Sequence, residues 1–320
     1  MSALSLGPGR EFDRLRAIFA RLGPAAGDLG DDCALLPLGG TTLAVSIDCS
    51  LEGVHFRTDW LTFEEIGWRA AAAALSDLAA DGAEPIGVLV SLGMPGNEKR
   101  ATGNVDPAVE IMAGVGAAVQ SVGARVLGGD LVRSEKYVVD VCVLGSVQRP
   151  VRRAGAREGD GLWVTGRLGG AGLALAGFRT GTRPGGALGR RYVRPEPRIA
   201  AGRWLAARGA TAMLDVSDGL AADAGHLAAA SGVGLEIALE RLPCWDGVAP
   251  LAAAASGEEF ELLVTLPAAF ADADVAAFRA ELGLALTRIG VCFRGGGVRL
   301  LEGNTPVALP AGYDHFASAS

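Results

Sequence analysis

Residues 66–85, IGWRAAAAALSDLAADGAEP, put a carboxylate on the face of a helix where burial penalises it most. Thr62 and Glu65 have capping-box spacing, which predicts a helix that starts there, runs through the alanine-rich segment to about Ala80 and stops near Gly82 and Pro85. On that helix Ile66, Ala70, Ala73 and Asp77 fall at i, i+4, i+7 and i+11, which is one face, and it is the apolar one. A carboxylate there loses its hydration, a cost on the order of several kcal/mol unless something pairs with it. Taken alone, Asp77 is also explained by a bond to an arginine or a backbone N–H.

Other aspartates stand at the ends of apolar segments. Asp31 and Asp32 follow Gly30, Asp48 ends the alternating run TLAVSID (42–48), Asp130 follows Gly128-Gly129, and Asp215 and Asp218 bracket a helix start in DVSDGL. Singly, each has an ordinary reading: Gly-Asp pairs occur in turns, Asp48 suits a turn, and an aspartate in a first helical turn caps it or complements the helix dipole. Jointly they read differently. Converging carboxylates repel one another unless cations neutralise them, and an all-oxygen ligand set suits Mg²⁺ rather than zinc. Mg²⁺ held by carboxylates and phosphates belongs to phosphoryl transfer.

Composition narrows the field. Half of the 320 residues are apolar and a fifth charged, so the chain can bury a sizeable core, and its length allows two domains. A net charge of −7 disfavours nucleic acid and anionic membrane as partners. Lys99 and Lys136 are the only lysines, and no G-x-x-x-x-G-K-[ST] occurs, so a nucleotide site here is not a P-loop. The odd number of cysteines (Cys33, Cys49, Cys142, Cys244, Cys292) includes no C-x-x-C pair, which speaks against a disulfide framework and a zinc site. With no apolar leader and no long apolar run, a cytoplasmic protein is expected.

Periodicity predicts mixed elements: a helix over 11–22, a Gly- and Asp-rich loop to Asp32, and a strand over 42–48 whose Leu43, Val45 and Ile47 face away from Ala44, Ser46 and Asp48. A strand over 86–92, a helix over 107–121, a short strand over 124–128 ending at Gly128-Gly129-Asp130, and a strand over 137–147 follow. A domain boundary is expected near Pro150. Beyond it lie a strand (162–166), a helix from Gly170, a loop over 180–198, and a strand (211–216) leading to a helix over 218–230 with Ser217 as N-cap. Strands over 234–239 and 260–265, a helix over 267–281 and strands near 287–293 complete the chain. The order lacks strict βαβ regularity, so an α+β or mixed α/β fold is expected rather than a Rossmann fold.

The motifs GDDCALLP (30–37), VSIDCSLEGVHF (45–56), the segment 66–85, GGD (128–130), RAGAREGD (153–160), VTGRLGGAGLAL (164–175), LDVSDGLAADAGHLAAASG (214–232), GEEFEL (257–262) and GYDHF (312–316) resemble the thiamine-monophosphate kinase family. The resemblance covers nearly the whole chain. It implies the two-domain fold of the aminoimidazole ribonucleotide synthetase superfamily: a dimerising domain over 1–149 that binds metal and ATP, and a domain over 150–320 that completes the active site of a homodimer. It implies ATP-dependent phosphorylation of thiamine phosphate to thiamine diphosphate. By motif match, Asp32, Ser46, Ile47 (through its backbone), Asp48, Asp77, Asp130, Asp215 and Asp218 hold several Mg²⁺ ions. Gly129, Asp130, Arg153 and Ser217 contact ATP, and His55, Glu258 and Tyr313 contact thiamine phosphate. From the residues alone, His55 reads as a partly buried structural histidine, Glu258 and Arg153 as members of exposed charged pairs, and Tyr313 as a tail anchor.

The chain departs from the family pattern at Ser256, Glu259 and Phe260 (SGEEFEL for GGEDYEL), at Asp81 (ADGA for AMGA) and at Leu131-Val132 after GGD. The implied chemistry is direct in-line transfer, needing no strong base because the acceptor phosphate is already an anion. Two rivals share the superfamily. A selenide water dikinase wants a reactive Cys or Sec and a Lys near the N-terminus, and 1–30 contain neither. A hydrogenase-maturation dehydratase wants a C-terminal Cys, where this chain reads HFASAS. A non-catalytic nucleotide-binding paralogue is the rival of another class.

Overall fold

The computed structural model describes residues 4–27, 29–96 and 106–316. Lys99 and the last four residues of the HFASAS tail lie outside them. The first half runs α1 (Arg10–Leu22), β1 (Ala34–Leu38), β2 (Thr41–Leu51), α2 (Phe63–Ala80), β3 (Glu84–Pro95), α3 (Pro107–Ser121), β4 (Arg125–Ser134) and β5 (Val138–Val147). The second half runs β6 (Gly161–Thr165), α4 (Gly170–Arg179), α5 (Gly186–Val193), α6 (Ile199–Ala207), β7 (Ala212–Asp215), α7 (Leu220–Ser231), β8 (Gly234–Ala238), α8 (Pro250–Ala255), β9 (Leu262–Leu266), α9 (Asp272–Leu282), β10 (Leu286–Phe293), β11 (Gly297–Glu302) and β12 (Thr305–Val307). The strands form two sheets, ordered β1-β2-β5-β3-β4 and β12-β11-β8-β10-β6-β9-β7. Only β3–β4 and β8–β11 pair in parallel among the described residues, so the fold is mixed α+β.

α2 joins the two sheets. The Thr62 hydroxyl accepts the Glu65 N–H while the Glu65 carboxylate accepts the Thr62 N–H, the reciprocal cap its sequence predicts. Its alanines are small enough for neighbours to approach on every side: α3, β2 and β5 from the first half, α5, α6 and β7 from the second. Against α3 the contact is backbone to backbone. A Cβ on Gly67 would lie 1.8 Å from the Ile111 carbonyl oxygen, and one on Gly114 1.9 Å from that of Glu64. Across the halves, Glu64 pairs with Arg194 (2.7 Å), Glu84 with Arg203 (3.1 Å) and Glu65 with Arg183, and the Trp68 indole donates to the Pro195 carbonyl (2.9 Å).

Several expectations need correction. Residues 180–198 are not all loop, since Gly186–Val193 form α5, whose Tyr192 and Val193 are buried. Ser217 is not the N-cap of α7: the helix starts at Leu220 after Gly219, whose φ of 114° admits only the loosest residue. β4 extends to Ser134, so Gly128-Gly129-Asp130 lies inside a strand and not at its end. In β2 the faces are used in an unexpected sense. Ala44 is fully buried and Ser46, Asp48 and Ser50 share its face, while Ile47 on the apolar face is 66% exposed.

Candidate functional site

The loop before β1, the end of β2, the last turns of α2 and the loop between β7 and α7 meet where the two halves face each other. Asp32, Asp77 and Asp215 come together there, each offering a carboxylate oxygen within 4.8 Å of the others'. The reason is local in each case. Asp215 ends β7, Asp77 looks out of the half-buried strip of an otherwise enclosed helix, and Asp32 is held by the second half. Arg153 grips Asp32 through Nε (3.0 Å) and Nη2 (2.8 Å) and gives its backbone N–H to Asp31 (2.9 Å), while Arg152 Nε bonds Asp31 at 2.6 Å. The basic pair is therefore not free surface charge but the clasp on Gly30-Asp31-Asp32. The Ser46 hydroxyl donates to Asp77 at 2.5 Å.

The electrostatics fit a cation. Burial, then the charges of Asp215, Asp32 and Asp48, hold the Asp77 carboxyl well above the usual carboxylate range. Burial and Asp32 push Asp215 up to about 7. Burial raises Asp32 despite the opposing pull of Arg153, and burial with Asp140 raises Asp48. Buried carboxylates that raise one another are a ligand set short of positive charge, and their oxygens suit a hard divalent ion. The residues present thus fit Mg²⁺.

Asp218 lies one residue beyond Ser217, its carboxyl pushed up to about 6 by burial and by Glu11. It falls in a second group with Asp223 and His226, again within 4.8 Å. Sequence reasoning missed Asp223, whose Oδ2 accepts the N–H groups of Asp218 (3.2 Å) and Gly219 (3.0 Å) and so shapes the loop that carries Asp215 and Asp218. Its signal was present in the i+4 spacing from Gly219.

The same loop bonds two of the residues that the family resemblance assigns to thiamine phosphate, Glu258 and Tyr313. The Ser217 carbonyl accepts the Glu258 N–H (2.6 Å) and the Asp218 carbonyl accepts the Tyr313 N–H (3.0 Å). His55 lies 5.1 Å, ring to ring, from His315, which lies 4.8 Å from Tyr313. Glu258 sits at φ 59°, a left-handed backbone that costs a non-glycine residue on the order of 1–3 kcal/mol and persists only where its surroundings enforce it. Arg69 of α2 forms an ion pair with its carboxylate.

Asp130 stands apart. It is exposed on β4, and the sheet register places it level with Ser91, Asp140 and Cys49. Directly paired residues share a face, so its side chain leaves the sheet on the side of Cys49 and Ile47, opposite to Asp48. Gly129 is exposed on the same strand.

The departure SGEEFEL has a structural account. Glu259 is fully buried and accepts N–H bonds from Gly169 (2.8 Å) and Ala171 (3.1 Å) at the start of α4, plus one from the Ser256 hydroxyl (2.6 Å). Ser256 in turn accepts the Gly172 N–H at 3.0 Å. The changes act on the capping of α4.

Residues 30–147 match the model of the AIR synthase related protein N-terminal domain, and 157–301 that of its C-terminal domain. The chain is 34% identical to the thiamine-monophosphate kinase of Salmonella typhimurium over 97% of both chains. It is 35% identical to that of Mycobacterium tuberculosis over 72% of this chain and 68% of that one. The solved structure described as AaThiL complexed with AMPPCP and TMP superimposes with a TM-score of 0.85 at 31% identity, covering 96% of this chain and 97% of that one. Its motifs, its two-sheet fold and its full-length relatives together place this chain in the thiamine-monophosphate kinase family of AIR synthase related proteins.

Proposed function

We propose that the chain transfers the γ-phosphoryl group of ATP directly to the phosphate of thiamine phosphate, giving thiamine diphosphate and ADP with no phospho-enzyme. The observation that carries this reading is the meeting of Asp32, Asp77 and Asp215, drawn from both halves of the chain, beside Arg153. Asp32, Asp77 and Asp215, with Asp48, Asp218, the Ser46 hydroxyl and the Ile47 carbonyl, would hold Mg²⁺. Bound there, the metal supplies charge neutralisation and polarisation of phosphoryl oxygens. The chain's own residues bind and align. Arg153, which already grips Asp32, adds positive charge beside the cluster for phosphate oxygens, and Ser217 lies on the Asp215–Asp218 loop. Because the acceptor is an anion, no side chain has to remove a proton, and what the site must overcome is repulsion between two phosphates.

The reading includes a homodimer and the division at 149/150. Ile47, Leu89 and Val132 (66%, 41% and 46% exposed) share the face of the first sheet opposite α2, which is the face a second copy would cover. Asp130 and Gly129 belong to the strand at that face, so their role toward ATP is tied to the assembly. Among the described residues no helix is long and apolar enough to cross a membrane. ADP release measured with and without thiamine phosphate, with chromatography of the product, tests the function. Release that requires thiamine phosphate and Mg²⁺ and yields thiamine diphosphate is expected, and ADP release indifferent to thiamine phosphate would sink the reading.

A further inference from the structure

Arg69 is a buried cation that phosphoryl transfer leaves without a task. It stands on α2, the helix of Asp77, with 4% of its surface exposed. Its guanidinium lies 4.0 Å over the Tyr192 ring, donates to the Tyr192 carbonyl and pairs with the Glu258 carboxylate. Glu258 is thus held at two points, by the Arg69 ion pair and by its own N–H on the Ser217 carbonyl, in a backbone conformation that a glutamate does not choose unaided. Its side chain keeps 30% exposure. One side of the carboxylate is committed to Arg69 and the other remains available.

Nearby, His55 presents the complementary group. The Leu51 N–H donates to His55 Nδ1 at 3.0 Å, so that nitrogen is the unprotonated one. Burial and His315 hold the ring below its ordinary pKa, so it is neutral with its proton on Nε2. Glu258 also bears electrostatically on His55, and Arg69 on both. One fixed acceptor thus stands within electrostatic reach of one N–H donor.

We propose that Arg69 is a positioning and specificity-determining residue, which aims Glu258 so that its carboxylate accepts a hydrogen bond from the amino group on the heterocyclic end of the substrate. This rests on the kinase reading above. A cation held by the aspartate cluster would draw the phosphate end there, which leaves the heterocycle for Glu258. The Arg69–Glu258 pair is neutral as a whole, so it is a poor counter-ion for a permanent thiazolium charge, which would also meet the guanidinium. What the pair offers is a directed acceptor, and with His55 Nε2–H it matches an aminopyrimidine edge, an N–H beside a ring nitrogen.

The test compares thiamine phosphate with oxythiamine phosphate, in which a carbonyl replaces the amino group. Wild-type protein is expected to favour thiamine phosphate by at least about 10-fold in kcat/KM, since a site built to accept an N–H rejects an analogue without it. In Arg69→Gln the KM for thiamine phosphate should rise about 10-fold or more and the preference fall below about 3-fold, with kcat and the KM for ATP within about 3-fold of wild type. Arg69→Lys, which keeps the charge but loses the planar fork, should restore part of the preference. Equal rises in both KM values, or an unchanged preference in a folded Arg69→Gln protein, would overturn the role of Arg69. Where Arg69→Gln does not fold, a folded Arg69→Lys decides alone, its preference reduced if the proposal holds and unchanged if it does not. An active wild-type enzyme indifferent to the amino group would overturn this proposal and leave the kinase reading standing, whereas a wild type inactive on thiamine phosphate would overturn both.

Discussion

Asp77 carries the conflict between stability and function that its position on α2 implies. Its carboxylate stands among Asp32, Asp48 and Asp215, with the Ser46 hydroxyl donating to it. Asp77→Asn removes one of the repelling charges and keeps an acceptor for Ser46. The variant should melt about 2–5 °C higher in EDTA yet lose at least about a hundredfold in kcat. Calorimetry and steady-state kinetics read both, and activity within about 3-fold of wild type would refute a metal-holding role. Asp215 gives the pH dependence. Its folded pKa of about 7 exceeds its ordinary 3.8, so between those values the folded protein binds a proton that the unfolded chain does not. Stability without metal is therefore greatest at the acid end of that window and falls as pH rises through it. Melting in EDTA should drop on the order of 5 °C from about pH 5 to about pH 7.5, and Mg²⁺ should raise Tm more at the higher pH.

Among the elements, α2 bears most of the architecture. It carries Arg69 and Asp77, and it is held at a fixed height by the Gly67–Ile111 and Gly114–Glu64 approaches. Gly67→Ala has no room for its methyl and must push α3 away, which should destabilise by roughly 3 kcal/mol. Activity should fall with it, because Asp77 shifts on the same rod. Urea unfolding together with kcat checks this, and an unperturbed Cm would mean that the helices pack less closely than described. The helix was legible in the sequence because its cap and its apolar face are local patterns. α5 was not, because Gly, Arg and Pro signals dominate 180–198 and the helix owes its stability to burying Tyr192 and Val193. Glu258 and Glu259 look alike in sequence, yet Glu259 caps α4 from inside the core while Glu258 pairs with Arg69 of α2.

At the scale of the whole molecule, ion pairs join the halves around the site: Arg153–Asp32, Arg152–Asp31, Arg69–Glu258, Arg194–Glu64 and Arg203–Glu84. Neither half contains the complete aspartate cluster. The exposed face of the first sheet is where the proposed homodimer would form. Leu89→Arg places a charge in the centre of that face without touching any proposed ligand. It should convert a dimer to a monomer in light scattering and lower activity at least about 10-fold, because Asp130 shares that face. A wild type that is already monomeric and active would remove the homodimer from the proposal.

Taken by itself, the sequence determined the cap and length of α2, the span of α3, the mixed fold class, the absence of a P-loop and the presence of aspartates at the ends of apolar segments. All of these follow from spacing along one chain segment or from residue type. Only the tertiary structure decided that Asp32, Asp77 and Asp215 converge, that Asp130 leaves the sheet on the opposite side, that the polar face of β2 turns inward, and that Arg69 pairs with Glu258. Those are relations between segments far apart in the chain, and local periodicity carries no information about which neighbours a face will meet once α2 is packed between two sheets.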